Sequence, residues 1–560
     1  METLTTLLSG FISGIGPFFL LLGLLIFVHE LGHYLVAVYF GVRVETFSLG
    51  FGKKIWSVKR GDTTYCLSLI PLGGYVKMYG DDPTATIPEE EKKFSFLHKP
   101  VWPRIAIVLA GPLMNLFFAI FIFSALGMMG ENVPAAKLGD IEVGTPAYES
   151  GFRSGDTITE INSAPVETWQ KVKEAIESNP EQSMSFTVQR ETTGAFENVT
   201  VIPRLGRNPF IFSSRREVGL IDGLSTDSVS TMIGVQNSQS LAGQSGLKTF
   251  DVIEKVNGKE VLHWRSLERA FMESLLSGEV EVLVKSYHPD DKKTESRTVK
   301  LKLDSPDPQK PVLEQVGIMR SDLFLISVRP DSPASKAGLK VGDFVGEING
   351  SPLDRWQTVL DKVKSFKPEE KSIRFSVFRE NQKLELDIAP ERIDLPTDQG
   401  AMESRFAIGV VPAIMNSPLD YFLQKTTNPF RAVVYGVEQS WEWSKLIAIS
   451  LVRLVQNEVS ARNIGGVITI GRVASKSFEV GMSAFLKMMA IISINLFLLN
   501  LLPVPVLDGG HLVFFTLEAI KGKPISFKKL EIAQQVGLVL LMSLMVFALF
   551  NDISHLISSW

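Results

Sequence analysis

The sequence predicts a multipass α-helical membrane protein, with four transmembrane helices bracketing a large extracytoplasmic insert of three repeated α+β domains. Three observations carry this expectation. Four charge-poor apolar stretches cluster at the two ends of the chain, each near the ~20 residues a helix needs to cross ~30 Å of hydrocarbon. Basic residues crowd the loops on one side of those stretches. A five-residue signature recurs three times in the middle at identical spacing. Composition agrees, because 560 residues exceed what one core serves, and 45% hydrophobic residues with a mean hydropathy of +0.15 is high for a wholly water-soluble chain. Lys and Arg number 57 against 61 Asp and Glu, which removes the basic footprint of a nucleic-acid binder, so no nucleic-acid partner is expected. The one cysteine, Cys66, cannot close an internal disulfide and says nothing of redox compartment.

The first span is expected over residues 11–40, charge-free except at Glu30 with its flanking His29 and His33. No Lys or Arg precedes Arg43, so this stretch lacks the basic start of a secretory signal and reads as an uncleaved membrane segment. The others are expected over residues 105–129, 488–507 (uncharged up to Asp508) and 532–551. The loop at 41–104 holds ten Lys or Arg, and Lys521, Lys523, Lys528 and Lys529 precede the fourth span. Both loops are therefore expected in the cytoplasm, and the roughly 360 residues between spans two and three outside it. Residues 431–455 are apolar with Trp441 and Trp443, but Lys445 and Arg453 interrupt them, which predicts an interfacial amphipathic helix.

In the insert, Ala147, Gly151, Asp156, Asn162 and Trp169 recur as Ala242, Gly246, Asp251, Asn257 and Trp264, and as Ala334, Gly338, Asp343, Asn349 and Trp356. Each copy reads as a short helix ended by Gly, a Gly-Asp or similar turn, an apolar strand and an Asn turn, which makes one small domain.

The chemistry lies in FVHELGHYLVAV. On a helix, His29 and His33 are four residues apart and share a face, so two imidazoles can ligate one Zn²⁺ while Glu30 lies within reach of an attacking water. With seven His in the chain, chance yields about 0.01 such motifs. A lone buried His is usually a satisfied core residue, but two His and a Glu at lipid depth are costly without a function and a partner. A catalytic zinc commonly takes three protein ligands. Asp508 in NLLPVPVLDGGH is the outstanding third candidate, because Pro503 and Pro505 stop regular helix and turn the chain there; His511 is the alternative.

HExxH in the first span, LDG near the end of a later one and a repeated insert between them resemble the site-2 protease family of intramembrane zinc metalloproteases, in its bacterial sigma-regulating branch. FSLGFGKKIW and YCLSLIPLGGYVKMYG in the first loop, AGPLMN in span two and NLLPVPVLDGGHL in span three extend the resemblance over nearly the whole chain. The insert copies resemble bacterial PDZ modules, which bind extended peptides by adding a strand to a sheet edge; spacers or steric filters are the alternative. The resemblance implies that His29, His33 and Asp508 hold zinc, that Glu30 is the catalytic base, and that Asn500 engages the substrate backbone. It also implies that residues 63–79 form a membrane-associated β-hairpin, whose edge at Leu67, Ser68, Leu69 and Ile70 would pair with an unwound substrate. The chain departs from the familiar pattern in having three PDZ-like copies rather than two, and in reading Gly465-Gly466-Val467 where the family has Gly-Gly-Pro.

The expected organisation is residues 1–134 with spans one and two; PDZ-like copies at 135–205, 217–304 and 315–392; a linker with the interfacial helix at 393–480; and spans three and four at 481–560. The resemblance implies an inner-membrane protein with periplasmic PDZ domains and an active site near the cytoplasmic side. Its substrates would be single-pass membrane proteins, a pre-trimmed anti-sigma factor above all, in regulated intramembrane proteolysis during stress, with signal-peptide remnants as a second class. Protein or peptide C-termini at the PDZ copies and the lipid bilayer are the other expected partners. A membrane-anchored PDZ adaptor with a non-catalytic metal site is the competing reading, and a metal transporter a third.

Overall fold

The computed structural model describes residues 16–558 apart from 83–85, 211, 214, 275–277, 289–292, 303–310, 354, 380–381, 397–401, 457, 460, 462–463 and 524; residues 11–15 of the expected first span lie outside the described residues. The chain packs into two compact units. One runs to Asn132, resumes at Leu423 and includes Phe210–Ser214; the other comprises Val133–Pro209 and Arg215–Phe422.

In the first unit, four helices are long and apolar enough to cross a membrane: Gly16–Tyr39, Val101–Met129, Met482–Asn500 and Lys528–Ser554. The third ends at Asn500, short of the expected residue 507, because the run through Pro503 and Pro505 forms a tight turn before helix Asp508–Lys521 begins. Spans one to three share a core of Leu21, Leu25, Ala119, Phe123, Met489 and Ile494, and Ser493 Oγ donates to the Asn115 carbonyl at 2.7 Å. Spans one and two approach closely at Gly32, where a Cβ would lie 2.4 Å from the Ala110 carbonyl oxygen. Helix Pro429–Val455 seats Ala432, Gly436 and Ser440 as a buried face, with Gly436 against Ile120 and Ser124 of span two. Trp443 and Ile447 join the span core, while Phe430, Trp441 and Val455 stay exposed. The helix expected at the interface is thus packed on the bundle along one face.

The first loop forms a β-sheet from strands Val44–Arg60 and Thr63–Met78. The first strand folds back at Gly50 and Gly52, both in the left-handed region (φ 91° and 84°), and so supplies two flanking segments. The segments lie in the order 74–78, 44–49, 64–67, 56–60.

The second unit contains three copies of a four-stranded antiparallel sheet with one long helix. The first has Ala164–Pro165, Thr157–Ile161, Met184–Gln189 and Phe196–Val201, in that order, with helix Trp169–Ser178. The second has Lys259–Glu260, Val252–Val256, Glu279–His288 and Lys293–Lys302 with helix Trp264–Ser274; the third has Ser351–Pro352, Phe344–Ile348, Ile373–Arg379 and Gln382–Ile388 with helix Trp356–Lys364. The repeated residues do the same work in each. Ala147, Ala242 and Ala334 are fully buried. The buried Asp156, Asp251 and Asp343 each accept the backbone N–H three residues upstream at 2.8 Å and pair with Arg190, Arg297 and Arg379. Asn162, Asn257 and Asn349 are left-handed, and each Oδ1 caps the backbone N–H of Ser185, Glu281 or Arg374 on the neighbouring strand.

The cores overrun the boundaries expected from sequence. Ile221 belongs to the first core, Val312, Leu313, Val316 and Ile318 to the second, and Ile408 to the third. Each completing segment bonds back to the short helix region, as in Ala147 N–H to Asp222 O (3.1 Å) and Ala334 N–H to Ile408 O (2.9 Å). The expected ends at 205, 304 and 392 therefore fall short, and the expected starts at 217 and 315 come too early, since these completing segments lie beyond the repeated signature.

Candidate active site

The HExxH helix presents His29 and His33 to one point. His29 Nε2 and His33 Nε2 lie 3.3 Å apart; Asp508 Oδ2 is 3.2 Å from the first and Oδ1 is 3.6 Å from the second. A tetrahedral zinc with bonds of 2.0–2.1 Å spaces its ligand atoms about 3.3 Å apart, so the separations between these groups suit ligands of one such ion. Among the described residues this is the one group of three metal-type ligands so disposed, and His511 is not in it. His511 instead turns toward Phe515, with ring centroids 6.3 Å apart.

Span two orients the imidazoles through residues that sequence reasoning left without a role. His33 Nδ1 donates to the Ile107 carbonyl at 2.8 Å, which leaves Nε2 free for metal. Gly111 makes room for that ring, because a Cβ there would lie 2.2 Å from His33 Nε2. The Asn115 amide lies 3.3 Å from His29 Nδ1 and is fully buried, with its Oδ1 unpartnered as placed. Ligation through His29 Nε2 requires a proton on Nδ1, so the amide turned over, with Oδ1 accepting it, satisfies both groups. Ile107, Gly111 and Asn115 are spaced by four and form one buried face of span two. AGPLMN in an uncharged span held that signal, since a small residue and an amide four apart mirror the His pair.

Asp508 is aimed from its own side. Gly509 and Gly510 allow helix Asp508–Lys521 to begin against the preceding turn, where added Cβ atoms would lie 2.2 Å from Leu502 O and 2.4 Å from Pro505 Cα. The far end of that helix is fixed by the half-buried Glu518, paired with the buried Arg104, whose guanidinium also stacks over Phe515 at 4.8 Å.

Glu30 is buried beside the cluster, and the sheet passes directly over it: a Cβ on Gly74 would lie 3.0 Å from Glu30 Cγ. Within the edge expected at residues 67–70, only Leu67 has a strand partner on both sides among the described residues. Leu67 pairs with Leu49 on one side and Trp56 on the other; Ser68 pairs with Lys54 and bonds Ser48 Oγ at 3.0 Å; Ile70 pairs with Phe51. Of the sheet's two outer segments, 74–78 and 56–60, each with a strand partner on one side only among the described residues, 74–78 is the one that lies beside Glu30. Asn500 is the last residue of the span-three helix, half-buried, and takes no part in the described hydrogen bonds of the cluster.

The profile of peptidase family M50 matches residues 17–544. The chain belongs to peptidase family M50. Regulator of sigma-E protease RseP of Escherichia coli (strain K12) is 30% identical over 551 residues, covering 98% of this chain and 99% of its own. Protease RseP of Yersinia pestis is 31% identical over 546 residues, covering 97% and 98%. A Vibrio cholerae serotype O1 relative named for zinc metalloprotease activity is 30% identical over 556 residues, covering 99% and 100%. This M50 peptidase is accordingly a zinc metalloprotease of the membrane, and its donor set of two imidazoles and one carboxylate, with outer hydrogen bonds fixing the rings, fits that metal.

Proposed function

We propose that the protease cleaves transmembrane segments of single-pass membrane proteins within the bilayer. The carrying observation is the convergence of the His29, His33 and Asp508 side chains, 3.2–3.6 Å apart, with Glu30 beside them, in a bundle of apolar helices. When bound, zinc polarises a scissile carbonyl and brings the pKa of a coordinated water toward ~7. Glu30 takes a proton from the attacking water and returns it to the leaving amine nitrogen. His33 stays fixed by the Ile107 carbonyl, and His29 by Asn115. A helical substrate hides its carbonyls in its own hydrogen bonds, so it must unwind; pairing with the open edge at 74–78 holds it extended over Glu30. Asn500 is assigned to the substrate backbone on the resemblance.

The relatives' name, regulator of sigma-E protease, supports a pre-trimmed anti-sigma factor as substrate, in regulated intramembrane proteolysis at the inner membrane. Signal-peptide remnants form a second class. The three insert copies are read as PDZ-like modules on the periplasmic side that reject untrimmed chains by size. The test is zinc analysis of purified wild type and Glu30→Gln alongside cleavage of a model substrate. Glu30→Gln should keep its zinc and lose about 10²–10⁴ in rate; a variant that cleaves normally would remove Glu30 from the chemistry, and with it this mechanism.

A further inference from the structure

The outer segment of the loop sheet is built unlike the rest of it. Residues 53–60 read Lys-Lys-Ile-Trp-Ser-Val-Lys-Arg, with a basic pair at each end and an apolar centre. Every residue from 53 to 60 is exposed on both strand faces, Ile55 at 63% and Trp56 at 58%, so the segment is held by its backbone pairing with 63–68 while its side chains stay uncovered. Its neighbour adds exposed Leu69 and Ile70, which continue the apolar patch. None of Lys53, Lys54, Lys59 and Arg60 forms an ion pair among the described residues, whereas Arg43 and Lys77 of the same loop do. Strands rise about 3.3 Å per residue, so the two basic pairs stand roughly 16 Å apart, too short to cross a bilayer and suited to lying along one face of it.

We infer that residues 53–60 are a binding edge for anionic phospholipid, with Trp56, Ile55 and Val58 seated among acyl chains and the four cationic side chains holding headgroup phosphates. Charge complementarity chooses the occupant. An apolar strand alone would dissolve in any lipid, but two unpaired basic doublets flanking it select a negatively charged surface. This inference rests on the membrane reading of the apolar helices and is independent of what the protease cuts. It gives the sheet that overlies Glu30 a dependence on lipid charge.

The test uses the full-length protein reconstituted in phosphatidylcholine vesicles containing phosphatidylglycerol, with no substrate present. Quenching of Trp56 is read as the difference between wild type and Trp56→Phe, with bromine carried on either lipid at equal mole fraction. Phosphatidylglycerol should quench more strongly, and added salt should erode that preference, since each basic residue near an anionic surface is worth about fivefold in partitioning. Converting Lys53, Lys54, Lys59 and Arg60 to Gln should abolish the preference, with zinc content reporting that the variant is folded. Equal quenching by both lipids in wild type overturns the proposal, as does an unchanged preference in the Gln variant. Absence of quenching by either lipid overturns it in favour of an acidic protein segment as occupant.

Discussion

Replacing Gly111 by Ala places a methyl group where the structure leaves 2.2 Å to His33 Nε2 and 2.5 Å to Cε1. Ordinary contact begins near 3.4 Å, so the imidazole must retreat by roughly 1.2 Å, several times the about ±0.2 Å that a zinc–nitrogen bond tolerates. That retreat also pulls Nδ1 from the Ile107 carbonyl, now at 2.8 Å. Loss of an outer-shell partner alone costs 10–100-fold in metal affinity, so displacement of the ligand itself should cost at least about 100-fold, or ~2.7 kcal/mol. Helix propensity works the other way, favouring Ala over Gly by about 1 kcal/mol, so destabilisation cannot be laid to the backbone. The assay is zinc retention by detergent-purified protein against graded chelator, followed by substrate cleavage and thermal unfolding. Gly23→Ala is the control, because nothing lies within 4 Å of a Cβ there. Gly111→Ala that retains zinc at the wild-type chelator midpoint and cleaves at the wild-type rate would refute the claim that span two seats His33.

Other outcomes follow from the same packing. Asp552, fully buried, accepts hydrogen bonds from the backbone N–H groups of Gly466 and Ile468 at 2.9 Å and from Thr469 Oγ at 2.6 Å, capping helix Val467–Val480; Asp552→Ala should cost about 3 kcal/mol in thermal unfolding, with Asp552→Asn intermediate. Burial raises the Glu191 carboxyl, but Arg265, Lys137 and Arg269 outweigh it and leave the group below its ordinary range. A depressed carboxyl stabilises the fold above its unfolded pKa and loses that contribution as pH falls, so the insert should weaken in acid, and Glu191→Gln should show a flatter acid limb in denaturant titrations. Excision of residues 136–419 should leave a folded membrane unit that cleaves untrimmed substrate, with continued rejection ruling out the size filter. A cut ending at 390 would strand Ile408 of the third core and is expected to aggregate.

Much of this was legible because certain residues are costly anywhere else. His29, Glu30 and His33 in an apolar span, and Asp508 after two prolines, announce a shared cation from opposite ends of the sequence. The repeat was legible through Asp156 and its counterparts, since a buried carboxylate in a tight turn cannot be exchanged freely. Its partner could not be read: Arg190, Arg297 and Arg379 stand 34, 46 and 36 residues downstream, because the loops between vary in length. The order of segments in the sheet was hidden for a related reason. Strand pattern reveals which residues alternate, but the fold-back at Gly50 decides which segment lies inside, and that depends on a backbone conformation two glycines permit without dictating. Gly111 and Asn115 carry a spacing that mirrors the His pair, but which helix they face is fixed only by the packing of span two on span one.

The long separation between the two halves of the site is less of a burden than it looks. A flexible connection of roughly 290 residues would raise the entropic cost of bringing spans two and three together by about 4 kcal/mol over a short loop. The insert avoids most of that cost by folding with its entrance and exit joined: the Ala135 N–H donates to the Asp420 carbonyl at 2.9 Å, and Lys137 pairs with Asp420 at 3.2 Å. To the membrane bundle, a folded insert therefore acts as a tight turn. The Asn115–Ser493 contact, and the ligand that follows span three, can form as though the two spans were neighbours in sequence. A third repeat therefore adds chain to the insert without lengthening the loop that the spans carrying His29, His33 and Asp508 must close.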